Sequence, residues 1–418
     1  MFKKNLSMRE IITESIICLL LSFVTFACVD VHESKSEIEV LALASCVDKG
    51  EYHVEKLSDY AKSLHYIPLE TDDRALLGWV NFEQSYFGNG FFYLYDSNGD
   101  KLYKFSESGK FVSQIGTKGN GPGEYVYMSD IDIDFLSNKL YIKNSIVSLL
   151  EYTTEGEFIR SIPIKKNFLN KGYNTQHFQL LSADSFFFEI ASCIDNQYMG
   201  MFSDDSFEEP VYLVASDPIP LDEDKNVKFV VMDAKIYRTG KDCYFYQLRS
   251  DTIYQINKEL LCLTPKYVID YNRYKPNEKK TEVVHSSSLL DSERYIFGMF
   301  TFGKLAPEPF TNTIFRGGRL ITYTDVRVYS VYDKRNKIFK LLRQPIPKQF
   351  GFLNDLDGGV PFWPNIISSD GKSMFMLCPA ETFIATYSGK ENISDEVKNI
   401  LSQIDEESNP VIVRADFK

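Results

Sequence analysis

The 418-residue sequence contains no Cys-x-x-Cys pair, no His-x-His or His-Glu-x-x-His, and no Gly-x-Ser-x-Gly. A zinc site built from sequence-adjacent ligands and a hydrolase nucleophile elbow are therefore not indicated. No run of basic residues offsets a net charge of −12, and such a surface repels nucleic acid, so nucleic-acid binding is excluded. Beyond the N-terminus no apolar segment approaches the twenty residues of a membrane-spanning helix. Cysteine is scarce: Cys46, Cys193, Cys243, Cys262 and Cys378 follow Cys28, an odd number that gives no disulfide framework.

What is present begins with an export pattern. Lys3, Lys4 and Arg9 precede an apolar run from Ile16 to Ala27, too short to span a bilayer comfortably. Cys28 stands directly after Ala27, where a lipoprotein signal peptidase would cut once a lipid is attached to the cysteine. Thr25 occupies a position where an aliphatic residue is usual, and a rival box, Leu-Ala-Leu-Ala-Ser-Cys, ends in Cys46. The rival follows Glu33, Glu37 and Glu39 where a signal needs positive charge, so Cys28 is the expected lipidation site and residues 37–43 read as the first strand. Loss of residues 1–27 brings the net charge to about −13, since three basic and two acidic side chains leave with them.

The body of the chain repeats. Lys101 to Gly116 aligns with Ser148 to Pro163 at a constant offset, so that Leu102, Phe105, Gly109, Phe111 and Ile115 fall on Leu149, Tyr152, Gly156, Phe158 and Ile162. Strand patterns precede each copy, including the strict alternation of Asp130 to Asp134. A period of 40 to 50 residues made of about four short strands is that of a propeller blade. Later strand patterns continue it: Ser185 to Ala191 and Pro210 to Ser216 in a third unit, and Cys243 to Tyr271 in a fourth. Leu320 to Gln344 supplies a fifth, and Ser373 to Pro379 with Thr382 to Ser388 a sixth. The 32 Phe, 26 Tyr and two Trp suit wedges between blades. Helical spacing is expected at Val54 to Leu64 and at Val397, Ile400, Leu401 and Ile404 behind Ser394. The strand pattern at Asn409 to Phe417 is expected to complete a blade begun near the N-terminus and so latch the ring.

Five stretches carry a resemblance: YIPLETDDRALLG from Tyr66, GKFVSQIGTKGNGPGEY from Gly109, DTIYQINKELLCLTPKYVIDY from Asp251, DLDGGVPFWP from Asp355 and NPVIVRADFK from Asn409. With them the chain resembles the six-bladed β-propeller lipoproteins of Bacteroidota, which are similar to NHL-repeat propellers. The resemblance implies an all-β six-bladed propeller with a short C-terminal helix and a strand latch. Residues 1–27 are then a signal peptide, 28–49 a tether and first strand, and 50–418 one propeller domain. It also implies that the glycine-rich stretch is the loop leaving one blade for the next. Gly119, Gly121 and Gly123 would there adopt backbone angles closed to other residues. That loop matches neither the phosphate-loop nor the dinucleotide fingerprint, because Gly121 is followed by Pro122 and no Lys-Ser or Lys-Thr pair follows.

Side chains for chemistry are sparse. His32, His53, His65, His177 and His285 are scattered, and Ser286 to Ser288 beside His285 read as an exposed loop. Asp130, Asp132 and Asp134 share one strand face, which reads as solvated. No catalytic residue, metal site or cofactor is assigned. A sugar is held by stacking on an aromatic ring while carboxylates and amides take its hydroxyls. Residues Asn354 to Asn365 offer that mixture. The expected ligand-binding residues are Asn120, Glu124, Tyr125, Asp355, Asp357, Phe362 and Trp363. The expected function is that of an exported, lipid-anchored binding protein of the cell envelope, at the outer membrane, with a glycan or envelope protein as partner. The alternative is a propeller lyase or hydrolase with an acidic or metal-bearing channel.

Overall fold

The computed structural model describes residues 38–165, 175–182, 184–190, 198–215, 234–247, 250–274, 284–316 and 319–418. The expected signal peptide and the expected lipidation site, Cys28, lie outside the described residues. Six antiparallel sheets follow one another along the chain. The first is Val80–Gly88, Phe91–Asp96, Lys101–Ser106 and Phe111–Ile115, and the second is Met128–Asp134, Lys139–Asn144, Ser148–Thr153 and Phe158–Pro163. The aligned repeats are thus the outer two strands of blades one and two. Blade three runs from Phe178–Ser182 to Tyr212–Ala215, and blade four from Ala234–Thr239 to Cys262–Ile269. Blade five comprises His285–Asp291, Tyr295–Thr301, Arg327–Asp333 and Ile338–Leu342. In blade six Ile366–Ile367, Ser373–Cys378 and Val411–Phe417 are joined by the N-terminal strand Ala61–Pro68. The chain is a six-bladed β-propeller.

The latch pairs Pro68 with Val411 and Ala61 with Phe417, so strands from the two ends of the chain share one blade. Before it the N-terminal segment covers two further edges, with Glu39–Leu41 parallel to the outer strand of blade four and Tyr52–His53 parallel to that of blade five. Unpaired outer edges are ready templates for association, and this strap removes them from three consecutive blades. Helix α1 (Leu43–Lys49) lies within the strap and buries Leu43, Ala44 and Cys46.

Several local expectations are corrected. Residues 54–64 contain only a 3₁₀ turn, Leu57–Asp59, before the strand begins at Ala61. Leu57, Tyr60 and Ala61 are buried as the spacing requires, but pairing with the C-terminal strand prevails over helix formation. Thr382 to Ser388 is helical rather than extended: α2 (Ala380–Tyr387) buries Ala380, Phe383 and Tyr387, which recur at helical spacing. Arg319–Asp325 pairs only with Phe310–Arg316, forming a hairpin inserted into blade five. Ser286 to Ser288 lie in the inner strand of that blade, with Ser286 fully buried. Helix α3 (Asp395–Leu401) does form, capped by Ser394, whose hydroxyl accepts from Val397 N at 3.2 Å.

Aromatic rings fill the seams between blades. Phe87 and Phe92 of blade one meet Phe375 of blade six at ring-centroid distances of 4.5 and 5.0 Å, and Phe187 of blade three meets Phe245 of blade four at 5.5 Å. Because every blade alternates direction from its inner to its outer strand, all connections from one blade to the next emerge on one face. The second-to-third strand connections emerge there too, which adds the blade-five hairpin and helices α2 and α3. The long irregular segments therefore gather around one mouth of the central channel.

Candidate functional site

The inner strand of a blade pairs on one side only, so alternate backbone N–H groups face the channel without a sheet partner. Blade two answers this for blade three. Asp130 Oδ2 accepts from Phe178 N at 2.9 Å, and Asp132 Oδ2 accepts from Leu180 N at 2.7 Å. The Asp-x-Asp spacing matches the two-residue repeat of the donors it serves. The expected solvated face is thereby corrected: both carboxylates are buried, and only Asp134 is spent in a turn, where it accepts from Leu136 N and Ser137.

Around Asp130 a polar cluster closes the mouth. A β-bulge at the start of blade one, between Asn81 and Tyr86, turns Glu83 and Gln84 out of register. Gln84 Nε2 donates to Asp130 Oδ1 at 2.8 Å and to Ser129 O at 3.0 Å, and Tyr86 donates to Ile131 O at 2.6 Å. His177 Nδ1 stands 3.4 Å from Asp130 Oδ2. Lys235 of blade four is ion-paired with Glu83 of blade one, across the channel mouth. One level deeper, Arg238 of blade four approaches Asp132 at 3.8 Å and donates to Leu180 O. Glu83, Gln84, Tyr86, Asp130, His177 and Lys235, with Ile131, Phe178, Gln179 and Ile236, line a narrow cavity.

Behind this wall lie two buried charges. Lys143 Nζ donates to Thr175 O at 2.6 Å and to Gln176 O at 3.2 Å, fixing the segment that leads into blade three. Glu189 is fully buried, and both His177 and Lys143 act on its charge. Burial opposes the charge of His177, but pairing with Asp130 overrides it and lifts the imidazole from 6.5 to about 9. Burial likewise resists ionisation of Asp130, and its His177, Gln84 and Phe178 partners bring it below the ordinary carboxylate range. Burial raises Glu189 to about 7 and depresses Lys143 to about 8.

These shifts give stability a pH dependence. The contribution of His177 is complete below 6.5 and lost as pH rises through about 9, and that of Glu189 is lost between 4.5 and about 7. Lys143 acts oppositely, its contribution being complete above 10.5 and lost as pH falls through about 8. Between about pH 7 and about pH 8 His177 therefore acts with least interference. The melting temperature is expected to fall across that interval, and His177→Gln should flatten the slope. A slope unchanged in the variant would contradict the assignment.

The residues expected from sequence to contact ligand fall into two groups on this same face. Asn120 is exposed in the loop between blades one and two. Glu124 folds back to accept from Gly121 N at 2.7 Å, and Tyr125 is fully buried, donating to Asp100 O at 2.7 Å. Of the three loop glycines only Gly123 has a positive φ, of 73°. At Gly119 a Cβ would meet only the carboxylate end of the Glu124 side chain, which can swing aside, so neither backbone angle nor space demands glycine there. In the second group Asp355 accepts from Ser58 N and Oγ at 3.0 and 2.7 Å, and Asp357 accepts from Tyr66 and Tyr387. Phe362 is fully buried and pairs through its backbone with Phe352. Trp363 is half-buried, with its ring 4.4 Å from that of Tyr329. Among the described residues no hydrogen bond, ion pair or ring contact joins the two groups. Nothing in the sequence groups Gln84, His177 and Lys235 as a set. They come from three blades, and a strand that opens on a histidine or lysine carries no local mark of facing a channel.

Among the described residues no three His, Cys, Asp or Glu side chains form a metal-ligand set. The described cysteines Cys46, Cys243, Cys262 and Cys378 are free thiols.

The sequence model of a family described as "Domain of unknown function (DUF4934)" matches residues 38–416. Among solved structures, a protein of Bacteroides fragilis named as exported is 19% identical, with a TM-score of 0.63 over 88% of this chain and 98% of its own. A member of the DUF4221 family from Bacteroides vulgatus is 12% identical, with a TM-score of 0.48 over 86% of this chain and 97% of its own. At these identities the first of the two speaks to fold alone. No curated protein matches the sequence.

Proposed function

We propose, from the premise that this chain belongs to the DUF4934 family, that it is an exported, lipid-anchored propeller of the cell envelope that binds a ligand or partner without catalysis. The observation that carries this is the channel mouth, where charged and amide side chains from four blades surround a cavity on the face that also collects the long insertions. Concave sites with a few convergent polar groups are the usual binding places of a fold. Export and anchoring rest on the N-terminal sequence, with Cys28 as the lipid-bearing residue at the outer membrane. A glycan or an envelope protein is the partner class, and Asn120, Asp355, Asp357 and Trp363 stand on the rim of that face.

The test is a glycan array and affinity capture with the mature lipidated protein taken from membranes, run beside Cys28→Ser. Specific binding by the parent and loss of membrane retention in the variant are expected. Retention of Cys28→Ser in the membrane would overturn the anchor, and the absence of any specific binding would overturn the role.

A second reading is favoured by one observation, the Asp130–His177 pair. An aspartate on one imidazole nitrogen orients the ring for proton transfer, as in a lyase or hydrolase. With its pKa lifted to about 9 the imidazole holds its proton at neutral pH, which suits a cation better than a base. Turnover of a glycan or ester that is abolished by His177→Gln would establish this reading instead.

A further inference from the structure

We infer that the channel mouth is a carboxylate-binding subsite, in which His177 and Lys235 grip the acid group of a small organic acid or of an acidic sugar ending a glycan. This rests on the proposal that the face binds a ligand and adds the chemistry of that ligand.

Two cations converge on one narrow cavity from adjacent blades. His177 leads into the inner strand of blade three, and Lys235 is the second residue of the inner strand of blade four. They are close enough for the lysine to oppose the charge on the imidazole. Like charges held together in a partly desolvated cavity disfavour each other unless an anion lies between them. The imidazole has Asp130 on Nδ1, so in its charged form Nε2–H remains as a donor, and no partner for it is found among the described residues.

The anion that answers Lys235 within the molecule is Glu83, whose side chain is 45% exposed while that of Lys235 is 17% exposed. A carboxylate therefore already fits at the lysine. Because Glu83 rides on a bulge and reaches in from solvent, it can swing out, and an incoming carboxylate then replaces one ion pair of Lys235 with another. With Glu83 displaced and Asp130 kept, His177 and Lys235 leave one net positive charge, which matches a single carboxylate better than a doubly charged phosphate. The apolar walls, Ile131, Phe178 and Ile236, would then meet the carbon skeleton behind the acid.

The test is calorimetric titration of the mature protein with acetate, with D-glucuronate, with a glucuronate-terminated oligosaccharide, and with D-glucose as the neutral control. Binding of at least one acid and none of glucose is expected. Acetate binding as tightly as the sugar acids would identify a free organic acid as the source. Tighter binding of the oligosaccharide would identify a glycan end. Lys235→Met and His177→Gln should each weaken binding by about tenfold to a hundredfold, as the loss of a charge-assisted hydrogen bond requires. Glu83→Gln should tighten it several-fold, a gain that damage to the fold would not produce. Lys235 is partly exposed, so its variant keeps the test meaningful if His177→Gln is too unstable to purify. Binding unaffected by Lys235→Met and Glu83→Gln, or no binding of any acid, would overturn the inference. Binding of neutral glycans or a captured protein that ignores these substitutions would overturn it while leaving the proposed function standing.

Discussion

A chain ending at Pro410 is expected to lose its cooperative thermal transition. Val411–Phe417 is hydrogen-bonded on both sides, to Ser373–Cys378 and to Ala61–Pro68, so its removal breaks two ladders and detaches the N-terminal strand from its blade. Val411, Ile412, Val413 and Ala415 are buried in the same stroke. Fully burying a Val or Ile contributes roughly 1.5 to 3 kcal/mol, so three such side chains approach the roughly 5 to 15 kcal/mol that holds a domain together. Ile412→Ala alone should cost about 2 to 5 kcal/mol, since it is fully buried against the blade-one seam with Phe92 and Phe375. Differential scanning calorimetry of the truncated and substituted chains checks both. A truncated protein that still melts in one sharp transition near the parent temperature would show that the ring is closed by something other than this strand.

Asp132→Ala should be the most damaging single change in the channel. It strips the acceptor from Leu180 N and leaves Arg238 without its carboxylate in a largely buried site. Breaking one side of a buried pair costs about 3 to 5 kcal/mol. Burial raises the Asp132 carboxyl above its ordinary value despite Arg238, so burial takes back part of what the charge contributes. Two further results follow. Asp132→Asn, which can still accept from Leu180 N but leaves Arg238 unpaired, should lose less than alanine by about the worth of that one bond, and Asp132→Ala with Arg238→Met should recover part of the loss because no lone charge remains. Urea denaturation of the four proteins decides the matter. Equal losses for the alanine and asparagine variants would place the stabilisation in the charge after all.

The sequence readings that succeeded share a physical origin. The alignment of Lys101 to Gly116 with Ser148 to Pro163 reports local requirements: two alternating strands and a turn at Gly109 or Gly156, with φ of 82° and 93°. Ser394 announces its helix because a cap acts within three residues. Readings failed where a distant strand competed. Leu57, Tyr60 and Ala61 have helical spacing, yet Ala61 and its successors pair with a strand about 350 residues away in the chain, a partner no local window contains.

The four-strand repeat of the first two blades and the latch strand joining both ends were legible in the sequence alone. The blade number and the crossing at the glycine-rich loop came with the family resemblance, and two expected later strands are a helix and part of an inserted hairpin. Strand alternation, turn residues and aromatic content act over a few residues or repeat at a fixed period. Which charges meet at the channel was decided only by tertiary structure. Asp130 and Asp132 look like a solvated face until closure of the ring sets Phe178 N and Leu180 N opposite them, with His177 and Arg238 beside them. The pairing of Glu83 with Lys235 spans more than 150 residues of chain. The channel is made by closing six blades into a circle, and a side chain acquires a neighbour across it only when the last blade is latched.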